Sequence, residues 1–414
     1  MKNLTQRKRA IQTTAIGLAL FASACSQQTA PRGTPHSDEV TSTPAAISDQ
    51  IDRTADAWIG SGKAVGVVIE VAQAGRVVFA RGYGRPTLES QDPVTPRTLF
   101  RIGSLTKQFT ASAILQLVGQ GKVSLDDRLS TYFPDFPRAN EVTIRQLLTH
   151  TSGIHNYTEF GFNLWDFYQF TRDHTTLGWV DHIAHQKPLY DFPPGTAWHY
   201  DNSGYFLLEA IIEKVSGEPL GRYFHDHLFQ PLGMTDTAID GNSDAGPNRA
   251  EGYEHAGSRP GVFNRPISFS MTVAGGAGAL RSSTSDLIKW NDALFRGRVV
   301  NPDLVKAMMT PARLNDGRLA SENRINMDAA EPHGGYGFGL RIEQFDGYRE
   351  IGHEGDLFGF NAAMDTYPDD DQLTVVVLAN TPAGAYPLEK EIAAIFLTTA
   401  PASGAKAATP RPQG

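Results

Sequence analysis

The 414-residue sequence predicts an α/β domain of the α+β kind: an antiparallel sheet flanked by N- and C-terminal helices, with a mostly helical region inserted. Three observations predict it. Two β-branched runs stand near the start of the domain, three strand-like runs stand near its end, and the long stretch between them reads mainly as helix. Strands at both ends form one sheet only if the two ends meet, and the cleft between that sheet and the inserted helices is the natural place for a site.

Taken in order, Lys2, Arg7, Lys8 and Arg9 precede an apolar run from about Ile16 to Ala22, then small residues and Cys25. Residues 1–24 read as a secretory signal, too short to span a bilayer. The sequence Ala22-Ser23-Ala24-Cys25 is similar to the lipobox of bacterial lipoproteins, in which the cysteine becomes the lipidated mature N-terminus; a plain signal peptide cleaved nearby is the alternative. Cys25 is the only cysteine, so it has no internal disulfide partner, and acylation supplies it with a role. An exported protein of the bacterial cell envelope is expected, meeting the membrane through a lipid anchor only.

Residues 25–46 are rich in Pro, Thr and Ser without apolar periodicity and read as a disordered linker, spanning roughly 25 Å as a flexible coil. The tail at 401–414 has the same character, which leaves 47–400 as the folded domain. With 40% hydrophobic residues, that domain can bury a substantial core. A net charge of -8, with no basic cluster after the N-terminus, excludes nucleic acid as a partner.

Ile47, Ile51, Ala55 and Ile59 recur every four residues and predict an opening amphipathic helix. AVGVVIEVAQAGRVVFARGYG then reads as a hairpin turning at Gln73-Ala74-Gly75. Near the end, Tyr348 to Gly352, Phe360 to Tyr367 and LTVVVLAN are strands parted by Gly and by Pro368-Asp369-Asp370-Asp371. A last helix is expected from Pro387 to about Leu397, with Leu388, Ile392 and Ile395 on one side.

The chemistry centres on FRIGSLTKQFTASAILQL, a helix expected to bury Phe109, Ala113, Ile114 and Leu117 on one face. Ser104 and Lys107 stand three apart at its start, so their heads can touch. Such a pair is either a helix cap beside a solvated lysine or a nucleophile beside its base. The pattern recurs as Ser403 and Lys406 in the tail, so only context selects the first copy, which alone opens an apolar helix. Tyr200 and Asn202 stand two apart just before another amphipathic helix, and His353-Glu354-Gly355 separates two strand regions. His255-Ala256-Gly257 and His333-Gly334-Gly335 share the His-x-Gly spacing. His182 with His185 and His225 with His227 have ligand-like spacings, but neither pair comes with a carboxylate or cysteine cluster, so no metal or other cofactor is expected.

These motifs, together with VTIRQLLTHTSGI, PPGTAWHYDNSGYFLLEAIIEKVSG, PLGMTDT and GGAGALRSSTSDLIKW, resemble the class C β-lactamase-related serine hydrolases across nearly all of residues 50–397. That group also holds D-amino-acid peptidases, DD-carboxypeptidases and short-chain esterases. The resemblance implies a β-lactamase/DD-peptidase-like fold. It also implies that Ser104 attacks an acyl carbon, that Lys107 and Tyr200 move the proton, and that Asn202 orients Lys107 and the substrate amide. Backbone N–H groups of Ser104 and Asp356 would hold the oxyanion, with Gly355 admitting substrate to the strand. Holding a lysine of pKa near 10.4 neutral at pH 7 costs about 4.6 kcal/mol, which burial must supply.

In true β-lactamases and DD-peptidases the third motif usually begins with Lys, followed by Thr or Ser, an edge that grips the substrate carboxylate; here His353 and Glu354 stand there, a form that resembles the esterase and aminopeptidase-like branches. The expectation is a serine hydrolase working through an acyl-enzyme on a small ester or amide, D-amino-acid peptides included. A penicillin-recognising DD-carboxypeptidase or β-lactamase, and a non-catalytic cell-envelope binding protein, are the alternatives.

Overall fold

The computed structural model describes residues 43–159, 168–241, 247–257, 259–325, 334–382 and 384–399. The signal segment, Cys25, most of the expected linker, His333 and the tail with Ser403 and Lys406 lie outside the described residues. Among those described, no helix is long and apolar enough to cross a membrane.

Among the described residues, both ends of the folded domain build one seven-stranded antiparallel sheet, as the sequence predicts. Its strands are β1 (Gly66–Gln73), β2 (Arg76–Gly84), β3 (Gly335–Tyr336), β4 (Arg341–Phe345), β5 (Tyr348–Leu357), β6 (Phe360–Tyr367) and β7 (Leu373–Ala379). They lie in the order β2-β1-β7-β6-β5-β4-β3, so first and last segments pair directly, Val67 opposite Ala379. The predicted turn closes the first hairpin with Ala74 and Gly75 both at positive φ, which suits a two-residue loop between right-twisted strands.

Strand alternation gives the sheet two buried faces. Val67, Ile69 and Val71 meet Ile51, Ala55 and Trp58 of α1 (Ala45–Gly60) and Leu388 and Ile392 of the closing helix Ala385–Thr399. Val68, Ala362, Met364 and Val376 turn instead to the core of the inserted helical region. Both flanking helices begin earlier than expected. Ala45 and Ala46, read as linker on composition, form the first turn of α1 behind Pro44. Pro387 stands in the first turn of the closing helix, where its missing N–H costs nothing.

Two further expectations are corrected. Helix α2 (Thr106–Gly119) is buried around nearly its whole circumference, not on one face: Thr106 to Leu115 are all buried, polar members included. The stretch from Tyr348 to Leu357 is one unbroken strand, so His353-Glu354-Gly355 lies inside β5 and does not separate two strands.

Candidate active site

Ser104 sits in a single 3-10 turn, Gly103–Leu105, that leads into α2 and leaves it half-buried. One turn on, Lys107 is fully buried. Its Nζ lies 3.0 Å from Ser104 Oγ, 2.7 Å from Asn202 Oδ1 and 2.9 Å from the carbonyl of Ala277. No carboxylate is within ion-pair distance of it among the described residues. Burial therefore drives the Lys107 pKa well below its ordinary value, opposed only by the more distant charge of Asp201.

The hydrogen-bond arithmetic of the deprotonated amine is simple. A neutral amine has two N–H donors and one lone pair. The amide oxygen of Asn202 and the carbonyl of Ala277 can only accept, so they take both donors. The lone pair is left for the hydroxyl of Ser104.

Asn202 opens α3 (Asn202–Ser216), capped by Asp201, whose carboxylate accepts from the Gly204 N–H. Thr158 fixes the amide through a 3.1 Å bond to Nδ2, and Asn156 accepts from the Asn202 backbone. Tyr200, immediately before the cap, lays its ring 4.7 Å from Lys107 Nζ and 6.1 Å from the His353 ring. Behind it stands His150, buried, its ring 4.5 Å from those of Tyr200 and Tyr336 and its Nδ1 accepting from the Asp201 N–H.

Strand β5 closes the site from the opposite side. β5 and β6 are joined by the two-residue turn Phe358-Gly359, so Leu357 and Phe360 form a hydrogen-bonded pair, and Asp356 with Asn361 falls on the alternate, non-hydrogen-bonded type. The N–H of Asp356 then points away from β6. On that side β4 has already stopped, at Arg341 opposite Gly352, and the turn carrying Ser104 takes its place. The approach is close enough to demand glycine twice. A Cβ on Gly355 would stand 2.0 Å from the Ile102 carbonyl and 3.0 Å from Ser104 N, and one on Gly103, at φ +50, would stand 2.9 Å from Asp356 N. The two N–H groups expected to hold an oxyanion thus belong to adjoining backbones.

His353 and Glu354 point to opposite faces, as alternation requires. Glu354 lies 3.8 Å from Arg341, while His353 is buried. Its Nδ1 faces the carbonyl of Glu354 and its Nε2 lies 2.9 Å from the Tyr336 hydroxyl. Burial pushes its pKa down to about 3, so the ring is neutral. His255 is exposed on a two-stranded ribbon, Glu254–His255 with Phe263–Asn264, and is not part of this cluster. The other histidines have separate surroundings: His182 stacks on Trp179, and His225 bonds Asp226. Among the described residues no group of three or more His, Cys, Asp or Glu side chains could hold a metal ion.

Sequence reasoning brought Ser104, Lys107, Tyr200, Asn202, His353, Gly355 and Asp356 to one place, but gave no role to Thr158, Ala277, His150 or Tyr336. The middle two of these lay in motifs that were recognised, and no residue-type signal marks a carbonyl such as that of Ala277. A cavity of about 750 Å³ bordered by Arg128, Arg145, Lys306 and Arg313 contains none of the candidates, so chemistry and not volume locates the site.

Comparison with known proteins identifies the family of the chain. The Beta-lactamase family model matches residues 49–400. Penicillin-binding protein 4* of Bacillus subtilis is 28% identical over 320 residues, covering 75% of this chain and 66% of that protein. A D-aminopeptidase of Cereibacter sphaeroides is 27% identical over 366 residues, covering 88% of this chain and 65% of that one. The chain therefore spans a little under two-thirds of the length of these curated relatives. The crystal structure of a D-stereospecific amidohydrolase from Streptomyces sp. superposes with a TM-score of 0.69 at 27% identity, covering 86% of this chain and all of that one. The chain belongs to the Beta-lactamase family, whose penicillin-binding-protein-like members include D-aminopeptidases.

Proposed function

We propose that the protein is a serine hydrolase that forms an acyl-enzyme on Ser104 and hydrolyses a small ester or amide, D-amino-acid peptides among them. One observation carries the reading: a buried lysine whose Nζ is held by the Asn202 amide oxygen and the Ala277 carbonyl and stands 3.0 Å from a serine hydroxyl. Lys107 takes the hydroxyl proton as Ser104 Oγ bonds to the acyl carbon. The resulting oxyanion is held by the N–H groups of Ser104 and Asp356. Collapse expels an alcohol or amine, which receives the proton from Lys107 by way of Tyr200. Water then reverses the sequence and frees the acid.

The D-aminopeptidase and amidohydrolase relatives support amide and D-peptide substrates. Similarity to a penicillin-binding protein supports a second reading, a DD-carboxypeptidase or β-lactamase. The neutral His353 disfavours it, because that position offers no cation to a substrate carboxylate. We also infer export, with Cys25 acylated and the domain held at a membrane face; this rests on the N-terminal sequence.

The test is a fluorophosphonate probe on the wild type and Ser104→Ala, followed by p-nitrophenyl esters, D-aminoacyl anilides and nitrocefin. Labelling confined to the wild type, with esters or D-anilides cleaved well and nitrocefin poorly, is expected. Efficient nitrocefin hydrolysis would promote the second reading, and equal labelling of Ser104→Ala would remove Ser104 as nucleophile.

A further inference from the structure

Asn202 turns its amide oxygen to Lys107, although an amide can offer either end to a neighbour. The choice is made further out. Asn202 Nδ2 donates to Thr158 Oγ1 at 3.1 Å, and that hydroxyl donates in turn to Asn156 Oδ1 at 3.0 Å. Asn156 is buried, and its Nδ2 donates to Glu159 Oε1 at 3.2 Å. A carboxylate oxygen can only accept, so every bond in the row, from Lys107 to Glu159, points the same way. Glu159 is in turn held by His199, the buried residue before Tyr200. His199 Nε2 lies 3.0 Å from Glu159 Oε1 and its Nδ1 3.2 Å from Asp191 Oδ2, while Asp191 Oδ1 takes His155 Nδ1 at 2.8 Å. A neutral ring, with one N–H, would press a bare nitrogen against a carboxylate; two carboxylates on opposite sides therefore require an imidazolium. Although burial opposes the charge, these carboxylates push the His199 pKa up to about 10.

We propose that Glu159, fixed by the His199 imidazolium, is a positioning residue for acyl transfer: it ends the hydrogen-bond chain through Asn156 and Thr158 and so aims the Asn202 oxygen at Lys107. This deepens, and rests on, the reading of Lys107 as the base and Ser104 as the nucleophile. Reversal of the Asn202 amide would bring its NH2 to Lys107 Nζ, where it would compete with the Ser104 hydroxyl for the lone pair of the amine. Glu159 touches neither reacting atom and acts only through this row of side chains. The backbone reinforces it, since Asn156 Oδ1 also accepts the Asn202 N–H at 3.2 Å and the Glu159 N–H donates to the Asn156 carbonyl at 2.9 Å.

The experiment pairs kinetics with one spectroscopic measurement. Glu159→Leu removes the terminal acceptor and should lower kcat and kcat/KM for p-nitrophenyl butyrate together, by about tenfold, with KM nearly unchanged. Glu159→Gln keeps an acceptor oxygen there and should recover most of that loss. Thr158→Val cuts the same chain in the middle, so Glu159→Leu combined with Thr158→Val should fall no more than about twofold below the slower single variant. Equal losses in Glu159→Gln and Glu159→Leu, a wild-type rate in Glu159→Leu, or losses that multiply in the double variant would each overturn the proposal. In wild-type protein labelled with ¹⁵N-histidine, the His199 ring, assigned by its loss in His199→Gln, is expected with both nitrogens protonated at pH 7.5. A neutral His199 ring would overturn the proposal even if the Glu159 variants fail to fold. Absence of fluorophosphonate labelling in the wild type would instead remove the Ser104 reading on which the inference rests, whatever the state of His199.

Discussion

Two lysines in this protein, Lys107 buried and Lys390 mostly so, meet opposite fates. Lys107 faces a hydroxyl, an amide oxygen and a peptide carbonyl, all uncharged, and burial lowers its pKa. Lys390, on the closing helix, meets the carboxylates of Glu350, Asp365 and Glu389 within 3.1 Å, and its pKa rises despite desolvation. Arg341 joins that cluster, 2.7 Å from Glu350 and 2.8 Å from Asp365. Depth alone therefore does not set the charge of a buried amine. Where the partners are neutral, the pKa of the amine falls toward that of a base; where they are carboxylates, it stays a cation and ties a helix to the sheet.

Substitution should separate the two roles. Lys107→Met, like Ser104→Ala, should cut acyl transfer by about 10⁴-fold, the loss expected when one member of a coupled pair goes. Its melting temperature should change little, because relief from desolvating an amine is offset by leaving the Asn202 and Ala277 oxygens without that donor. Steady-state rates and thermal unfolding read both. Lys390→Met should do the reverse, costing about 3–5 kcal/mol in urea unfolding by leaving buried carboxylates uncompensated, while labelling of the folded fraction persists. A Lys107→Met variant destabilised as much as Lys390→Met would contradict this separation of roles.

Smaller effects sharpen the contrast. Tyr200→Phe should lose about 100-fold on a D-aminoacyl anilide and much less on a p-nitrophenyl ester, whose leaving group needs little protonation; equal losses would show that the phenol is not the acid. Behind the neutral cradle, Glu209 accepts from the Gly276 N–H at 2.6 Å, next to the carbonyl-bearing Ala277, and burial pushes its pKa up to about 8. The folded state thus holds this proton more tightly than the unfolded chain, whose Glu titrates near 4.3. Its contribution is fully present below about pH 4 and is lost as pH rises through 8. Glu209→Gln should flatten the fall in stability between pH 5 and 8 by something on the order of 2 kcal/mol, measured as urea midpoints across that range.

The sheet was legible because period-two patterns and turn residues are local. Val67 to Val71 and Leu373 to Ala379 announce strands without reference to anything distant. Ser104, Lys107, Tyr200 and Asn202 were legible because covalent chemistry needs particular residue types at short spacings. The continuity of β5 was hidden, since Gly352 and Gly355 look like breaks in sequence. In the fold they are points of contact, where a Cβ on Gly352 would strike Asp365 at 2.1 Å and one on Gly355 would strike the Ile102 carbonyl. The all-round burial of α2 was hidden as well, because Thr106, Gln108, Thr110 and Ser112 read as a solvent face until their partners are known. Thr110, for instance, donates to the Gly276 carbonyl at 2.7 Å. Tyr336 and Ala277 act through contacts between residues far apart in the chain, and no pattern in their own neighbourhoods marks them.

The protonation state of Lys107 carries the account, and ¹⁵N-lysine NMR reads it directly. With the Nζ signal assigned by its loss in Lys107→Met, the account predicts a neutral amine at pH 7 that protonates only on acidification, with fluorophosphonate labelling of Ser104 falling over the same interval. An Nζ signal that remains an ammonium at pH 7 while labelling proceeds at full rate would contradict it.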